Sequence, residues 1–352
     1  MSRLQLQWRT FAFALPQPLR TARGMLTQKR GWLLRLQAAD GRVGWGEAAP
    51  LELDGPEAWE ACRACLANLR GELVRRELEL LLTRPSTPPC LAFAVGAALA
   101  ELDGLIPPEG WLPAPPSAAL LPAGAAMPEA LDRLLRQRSS PLLWVKWKVA
   151  ACCDHQEREL LELLLQRLPA AARLRLDANG GWDRSTALAW AERLADEPRL
   201  EWLEQPLDPA DQAGLEWLAA QVPVALDESL QRCPQLQATW PSWQVRRPSQ
   251  EGDPRPLLAA LQAGQPRLML STAFETGMGR RWLQHLAALQ AQGPTPTAPG
   301  LAPGWSPPGP LFVADPLAVW SGCLMDQGAL GGSGARTSGS NPASRLKRWS
   351  AC

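Results

Sequence analysis

Short runs of alternating apolar and polar residues open the chain and predict β-strands near its N-terminus. Three such runs precede residue 51, at 4–14, 31–37 and 41–50. The Asp-Gly pair at 40–41 predicts a hairpin turn between the last two strands. Apolar residues then recur at helical spacing over 56–83 and 91–104. Strands followed by helices are typical of an α+β unit.

From about residue 118 the pattern changes to short apolar runs separated by amphipathic stretches with the spacing of helices. The apolar runs predict strands at 118–124, 142–149, 173–179, 200–206, 222–229, 243–249 and 267–275. Repeated strand–helix units imply a parallel sheet, and seven or more of them imply a closed barrel.

Four segments follow from these patterns. Residues 1–117 form the α+β unit with a proline-rich linker, and residues 118–293 form the barrel that would carry an active site. Residues 294–327 begin with the proline-rich stretch PTPTAPGLAPGWSPPGP, which predicts either a closing segment that packs back toward the N-terminal unit or a disordered excursion. The tail at 328–352 is low in complexity and is predicted to be disordered.

Charged residues occupy the ends of four successive predicted strands of the barrel. Lys146 and Lys148 lie on one face of their strand, because alternate residues of a strand point to the same side. Three acidic residues follow at intervals of about 25 residues, the length of one strand–helix unit. They are Asp177 in LRLDAN, Glu204 in EWLEQP and Asp227 in VALDES. Barrel folds carry their chemistry at these C-terminal strand ends.

Three carboxylates that converge at one end of a barrel form a hard oxygen site suited to Mg²⁺, with Mn²⁺ as the alternative metal. An inward lysine close to a metal and other cations has its charged form disfavoured, which lets it act as a base near neutral pH. Such a site can remove the α-proton of a carboxylate substrate, because the cations stabilise the resulting enediolate. An ion-pair network at the barrel mouth is the purely structural alternative.

Composition narrows the range of functions. The formal net charge of +1 gives no basis for nucleic-acid or membrane binding. No apolar run approaches the roughly 18 residues that span a bilayer, and the N-terminus lacks the apolar core of a signal peptide, so we expect a cytosolic protein. The eight cysteines are scattered, the two histidines lie apart and tyrosine is absent, which disfavours zinc, redox, Ser-His-Asp and tyrosine-based chemistry.

The ordered motifs KWK, LDAN, LEQP, LDES, RP and STAFE resemble the muconate-lactonizing branch of the enolase superfamily, and within it the o-succinylbenzoate synthases of cyanobacteria. PLRTARG, GWLLRL and VGWGEAAPL are similar to that family's capping domain, whose mobile loop closes over the substrate. The resemblance covers about residues 3–290. It implies a (β/α)7β-type TIM barrel with an N-terminal α+β capping domain.

The same resemblance implies a lyase and a set of site residues. The expected reaction is the Mg²⁺-dependent syn dehydration of 2-succinyl-6-hydroxy-2,4-cyclohexadiene-1-carboxylate to o-succinylbenzoate in menaquinone or phylloquinone synthesis, through an enediolate. Lys148 is the implied catalytic lysine and Lys146 its electrostatic neighbour. The implied Mg²⁺ ligands are Asp177, Glu204 and Asp227. Supporting or substrate-contact positions fall on Arg175, Asn179, Ser271 and Thr272, whereas Glu228 is interpreted as an acid outside the metal site.

One position departs from the family pattern, in which lysine precedes the proline of the sixth strand. This chain has Arg247 in VRRPS, with Arg246 as the other residue that could face inward. Arginine stays protonated and cannot act as a second base, although its charge can stabilise an enediolate. The departure favours dehydration, which needs one base, over an N-acylamino acid or dipeptide epimerase, which needs two. A cycloisomerase and a non-catalytic binding protein are the remaining alternatives, and the sequence predicts no oligomeric state.

Overall fold

The computed structural model describes residues 3–21, 24–69, 71–137 and 142–326, which contain two separate β-sheets. The first sheet is antiparallel and consists of β1 (Arg3–Thr21), β2 (Gly24–Ala38), β3 (Val43–Ala48) and β4 (Gly71–Val74), in the order β3-β2-β1-β4. Helices α1 (Gly55–Ala67), α2 (Arg75–Leu82) and α3 (Pro89–Leu102) pack their apolar residues against this sheet. This arrangement is the predicted α+β unit.

Local chemistry explains where these elements begin and end. The predicted Asp-Gly turn joins β2 to β3, and Gly41 adopts a φ of 89° that suits glycine. The predicted helix over 56–83 is wrong in its middle, because α1 ends at Ala67 and β4 follows. Gly71 has a φ of 87°, which a helix cannot contain, and β4 instead pairs with the first residues of β1. Tertiary pairing with a distant strand therefore overrides the local helical spacing.

The second sheet has seven parallel strands, each hydrogen-bonded to its neighbours in chain order. Its strands are β5 (Ala119–Leu121), β6 (Trp144–Lys148), β7 (Arg173–Asp177), β8 (Leu200–Glu204), β9 (Val224–Leu226), β10 (Trp243–Arg246) and β11 (Leu268–Leu270). The helices along this part of the chain are α4 (Met127–Gln137), α5 (Asp154–Arg167), α6 (Arg184–Leu194), α7 (Gln212–Ala219), α8 (Glu228–Arg232), α9 (Leu236–Thr239), α10 (Arg255–Gln262), α11 (Gly277–Gln292) and α12 (Pro316–Asp326). The predicted α/β fold is confirmed as a parallel half-barrel sheet beside a separate antiparallel sheet.

Strand alternation divides the parallel sheet into an outer and an inner face. Trp147 and Leu176 point outward into the apolar layer beneath the helices. Trp202 and Val245 instead belong to a smaller apolar cluster that includes Ala225 and Met269 on the neighbouring strands. The charged residues of β6 to β8 therefore share the inner face with a small apolar core, and α12 packs separately on the antiparallel sheet.

The proline-rich segment bonds to both edge strands of the parallel sheet. Gly300 donates its N–H to Leu270 of β11 at 2.8 Å, and its carbonyl accepts the N–H of Thr272 at 3.1 Å. On the other side, Ala118 beside β5 donates its N–H to the carbonyl of Pro299 at 3.0 Å. A closed barrel and the domain boundaries at 117, 293 and 327 stay predictions, and the tail at 328–352 lies outside the described residues.

A buried ion pair beneath the strand ends holds this segment from inside. Arg175 is fully buried and donates from Nε to Glu201 Oε2 at 2.6 Å. Its Nη2 donates to Thr297 Oγ1 at 2.5 Å and to the carbonyl of Ala298 at 2.7 Å, while its guanidinium stacks on Trp202. Arg175 thus ties β7 and β8 to residues 297–298.

Two buried charged side chains tie the antiparallel sheet to the loop after β11. Glu47 of β3 accepts hydrogen bonds from the Thr276 N–H at 2.9 Å, the Thr276 hydroxyl at 2.6 Å and the Gly279 N–H at 3.1 Å, at the start of α11. Lys29 of β2 donates to the carbonyl of Ala273 at 2.8 Å. The bonds to Glu47 satisfy N–H groups that the start of α11 leaves unpaired. No helix within the described residues is long and apolar enough to cross a membrane.

We predict that Arg175→Leu lowers the free energy of unfolding by about 3–5 kcal/mol, because Glu201 would keep a buried, unpaired charge. The matched control is Arg193→Leu, whose partner Glu162 is about half-exposed, so that pair contributes only about 0–1 kcal/mol. Urea unfolding followed by tryptophan fluorescence measures both. Equal losses in the two variants would contradict a structural role for the buried pair.

Candidate active site

Two lysines project from β6 toward the inner face of the parallel sheet. The Lys146 ammonium lies 2.8 Å from Asp177 Oδ2 and 2.6 Å from Glu204 Oε1. The outward residue between the lysines, Trp147, is fully buried in the layer below the helices. Lys148 lies at the end of the strand and acts electrostatically on Asp227, where its positive charge favours the carboxylate. Lys146 therefore lies on the inner face and Trp147 on the outer face, as strand alternation predicts.

The three predicted carboxylates are all buried at neighbouring strand ends. Asp177 and Glu204 are the last residues of β7 and β8, and Asp227 follows β9 directly as the residue before α8. Their relative exposures are 3%, 0% and 2%, respectively. Each carboxylate is adjacent to a cation, since Lys146 binds Asp177 and Glu204. Asp227 is bound by Arg247, so no carboxylate is left as an uncompensated buried charge.

Arg247 is the arginine that faces the site. Its Nε donates to Asp227 Oδ1 at 2.9 Å and its Nη2 bonds to Oδ2, so the guanidinium forms a fork on the carboxylate. Its Nη1 donates to the carbonyl of Thr272 at 2.8 Å. Arg246 instead bonds to Glu251 and Gln237, away from the three carboxylates. The choice between the two arginines, which the sequence left open, is decided by these contacts.

The charges of the site change the pKa values of its members. Burial alone would lower the pKa of Lys146, but Asp177, Glu204 and Asp227 outweigh it and hold that pKa above its usual range. Burial, together with the other two carboxylates, raises the pKa of Glu204 against the opposing effect of Lys146. For Asp227, burial is outweighed by Arg247 and then by the two lysines, so its pKa is lowered. The three carboxylates therefore favour the ammonium form of Lys146.

Glu228 lies closer to the site than the sequence suggested. Its Oε1 accepts a hydrogen bond from Asn179 Nδ2 at 3.1 Å, while its buried Oε2 has no hydrogen-bond partner among the described residues. Burial, and then the charges of Asp227 and Asp177, raise the pKa of Glu228 to about 8. Glu228 is thus bound to Asn179 near the same carboxylates, and its interpretation as an acid outside the metal site stays a prediction. The LDES motif placed Glu228 next to the candidate ligand Asp227 but gave no information on where the Glu228 side chain points.

The remaining predicted contact residues are placed unequally. Ser271 and Thr272 follow β11 and are both more than nine-tenths buried. The Thr272 hydroxyl donates to Glu275 Oε2 at 2.6 Å, and its carbonyl accepts from Arg247, so Thr272 borders the site through its backbone. Arg175 is not brought together with the carboxylates, since Glu201 and residues 297–298 occupy its guanidinium.

The loop that follows Lys148 is held by a residue that the sequence did not single out. Glu157 of α5 is fully buried and accepts the backbone N–H groups of Ala150, Ala151 and Cys152 at 2.8, 3.0 and 3.0 Å. Ala150 has a φ of 57°, a region that residues with a Cβ adopt at a cost. The carboxylate therefore fixes a strained turn directly after the lysine strand. An acid within the first turn of a helix after a short loop was the available signal.

The chemistry of the donor set fits a divalent cation. Among the described residues, no three acidic, histidine or cysteine side chains are oriented together around one point as metal ligands. The carboxylates of Asp177, Glu204 and Asp227 are instead turned onto Lys146 and Arg247. Their oxygens are hard donors on neighbouring strand ends, and burial together with the charges of Asp177 and Asp227 raises the pKa of Glu204.

Comparisons with known proteins agree with this geometry. Residues 129–240 match the family model described as enolase C-terminal domain-like. An o-succinylbenzoate synthase from Thermosynechococcus vestitus is 36% identical over 296 residues, which cover 80% of this chain and 88% of that one. A solved o-succinylbenzoate synthase from Thermosynechococcus elongatus, complexed with Mg in the active site, has a TM-score of 0.74 at 33% identity and covers 92% of this chain and 99% of its own.

An epimerase shares the fold at lower identity. The L-Ala-D/L-Glu epimerase from Bacillus subtilis has a TM-score of 0.65 and 21% identity, and the match covers 84% of this chain and 89% of that one. The chain belongs to the o-succinylbenzoate synthase family of the enolase superfamily.

We predict that Glu157→Gln lowers the free energy of unfolding by about 2–4 kcal/mol, because three N–H groups lose part of a charged acceptor. Glu159→Gln in the same helix is the matched control, since Glu159 is largely exposed and should give no measurable change. Chemical denaturation of both variants is the measurement. Equal stability of the Glu157 variant and the wild type would refute the assigned role of this carboxylate.

Proposed function

We propose that this protein is a Mg²⁺-dependent lyase that converts 2-succinyl-6-hydroxy-2,4-cyclohexadiene-1-carboxylate to o-succinylbenzoate. The observation that carries the proposal is the combination of Lys148 at the end of β6 with Arg247, which binds Asp227. Lys148 is the single side chain we assign to proton transfer, whereas Lys146 and Arg247 supply fixed positive charge. Relatives of the same family, at up to 36% identity over most of the chain, carry this activity by name.

The proposed reaction uses Lys148 twice. As the free amine, Lys148 takes the α-proton next to the substrate carboxylate, and the C–H electrons form the enediolate. As the ammonium, it returns a proton to the departing hydroxyl, so that the C–O bond breaks and water leaves on the same face. The ring becomes aromatic in this step. One base therefore completes the whole sequence, which is the requirement for a syn dehydration.

The remaining site residues would hold charge and position. Lys146 and Arg247 face the developing negative charge as permanent cations in a buried site, where electrostatic stabilisation is strong. Asp177, Glu204 and Asp227 would hold Mg²⁺, with Mn²⁺ as the alternative. Bound metal would neutralise negative charge on the substrate carboxylate and so lower the energy of the enediolate. Asn179, Ser271 and Thr272 are the proposed substrate contacts. Nε and Nη2 of Arg175 instead bind Glu201, Thr297 and the carbonyl of Ala298.

The proposed function also includes a pathway, a closed barrel and a capping domain. The substrate would be a small carboxylate, and the product would enter menaquinone or phylloquinone synthesis in the cytoplasm. We infer that residues 297–301 take the place of an eighth strand and close a (β/α)7β barrel, supported by their hydrogen bonds to both edge strands. Residues 1–117 would form the capping domain. Nucleic-acid and membrane binding form no part of the proposed function.

Epimerisation on the same scaffold is the second candidate, because dipeptide epimerases share this fold. A two-base epimerase needs a proton donor and acceptor on each face of the α-carbon. Asp227 outweighs burial at Arg247 and holds the pKa of this guanidinium above its already high usual value, so Arg247 cannot release a proton. This residue therefore argues against a two-base mechanism and favours the lyase.

We predict that Lys148→Ala and Lys148→Arg reduce kcat by about 10²–10⁴-fold, because the arginine variant keeps the charge but not the base. Arg193→Lys, whose side chain pairs with Glu162 outside the site, should keep wild-type turnover. Loss of the diene absorbance, followed with Mg²⁺ and with chelator, measures the reaction. Chelator should abolish turnover in the wild type.

Two outcomes would contradict the proposal. Turnover by Lys148→Arg at the wild-type rate would exclude Lys148 as the base. Deuterium wash-in at the α-carbon of a dipeptide with inversion of configuration, and without dehydration of the diene, would favour the epimerase instead.

A further inference from the structure

Arg247 engages Asp227 differently from the way Lys146 engages the other two carboxylates. Both oxygens of Asp227 accept from the guanidinium, Oδ1 from Nε and Oδ2 from Nη2. Lys146 contacts a single oxygen on each partner, Asp177 Oδ2 and Glu204 Oε1. A forked arginine–carboxylate contact is geometrically specific and stronger than a point contact with an ammonium. Asp227 is therefore the most firmly occupied of the three candidate ligands.

The guanidinium is also fixed in place from its other side. Its Nη1 donates to the carbonyl of Thr272, and the backbone N–H of Arg247 donates to Glu251 Oε1 at 2.5 Å. Gln231 Nε2 is a third side-chain donor to the Asp227 carboxylate and lies 3.3 Å from Oδ1. These contacts orient Arg247 and Asp227 toward each other, so a cation that needs Asp227 must first open the fork. Lys146 binds Asp177 and Glu204 through one nitrogen, and this contact is less directional than the fork.

We propose that Arg247 competes with the metal for Asp227, and that metal binding frees its guanidinium to receive the carboxylate of the substrate. This inference rests on the proposed function, because it takes the three carboxylates as the metal ligands. It assigns to the arginine a role beyond excluding a second base. Metal and anionic ligand then bind cooperatively, since each stabilises the form of the site in which the fork is open.

The test is isothermal titration of Mg²⁺ into the full chain after removal of metal with chelator. Arg247→Lys keeps the positive charge but cannot form the fork, so we expect Mg²⁺ to bind at least about tenfold more tightly than to the wild type. Arg247→Gln removes both charge and fork and should bind at least as tightly. Arg193→Lys is the matched control, with unchanged affinity, because Arg193 of α6 pairs with Glu162 of α5, away from the three carboxylates.

The arginine-to-lysine variant separates the fork from simple charge repulsion. Equal Mg²⁺ affinity of Arg247→Lys and the wild type would overturn the proposal, because charge alone would then account for any effect of Arg247→Gln. Weaker binding by Arg247→Lys would also overturn it, since the arginine would then support the metal site. Circular dichroism confirms that each variant is folded before titration.

A second titration tests the cooperativity. o-Succinylbenzoate supplies a stable carboxylate ligand, and its presence should tighten Mg²⁺ binding to the wild type severalfold more than to Arg247→Gln. Equal tightening in the two proteins would overturn the role of the released guanidinium. Absence of Mg²⁺ binding in every variant would instead remove the metal assignment, and with it the proposed function, so the two failures are distinguishable.

Discussion

Compensation of buried carboxylates by cations is the constraint on which the rest of this structure depends. Asp177, Glu204 and Asp227 are almost fully buried, and such charges are tolerated only when each has a partner. Lys146 serves two of them and Arg247 serves the third. The β-strands fix these positions, because parallel strands in register bring successive strand ends to one edge. We assign the proton transfer to Lys148, the last residue of β6.

The layer below the site stabilises the frame that holds those charges. Arg175 and Glu201 form a buried pair inside the sheet, and Arg175 extends it to residues 297–298. A segment too rich in proline to form a regular strand can still accept hydrogen bonds through its carbonyl groups. Such bonds require no N–H group from the segment. The segment thereby links β11, the last strand of the parallel sheet, to Ala118 beside β5, the first strand. Arg175, two residues before Asp177, thus carries a structural charge.

Attachment of the antiparallel sheet to the loop after β11 connects the proposed cap to the site. Glu47 caps the start of α11, and Lys29 binds the carbonyl of Ala273. That loop also contains Thr272, whose carbonyl accepts from Arg247. Hydrogen bonds and the backbone of the loop at 272–276 therefore link the first sheet to the arginine.

The sequence by itself determined the α/β class, most strand positions and the order of the lysines and carboxylates, because alternation and the repeat length are local properties of the chain. It also identified Arg247 as the unusual residue of the site. Only the tertiary structure decided that Arg247 rather than Arg246 faces Asp227, that Glu228 turns toward the site, and that Arg175 serves a buried ion pair. It likewise replaced the middle of a predicted helix with β4, and it revealed the loop held by Glu157. Apart from the Glu157 loop, these features depend on partners between 20 and 123 residues away in the chain, and local spacing carries no information about such partners.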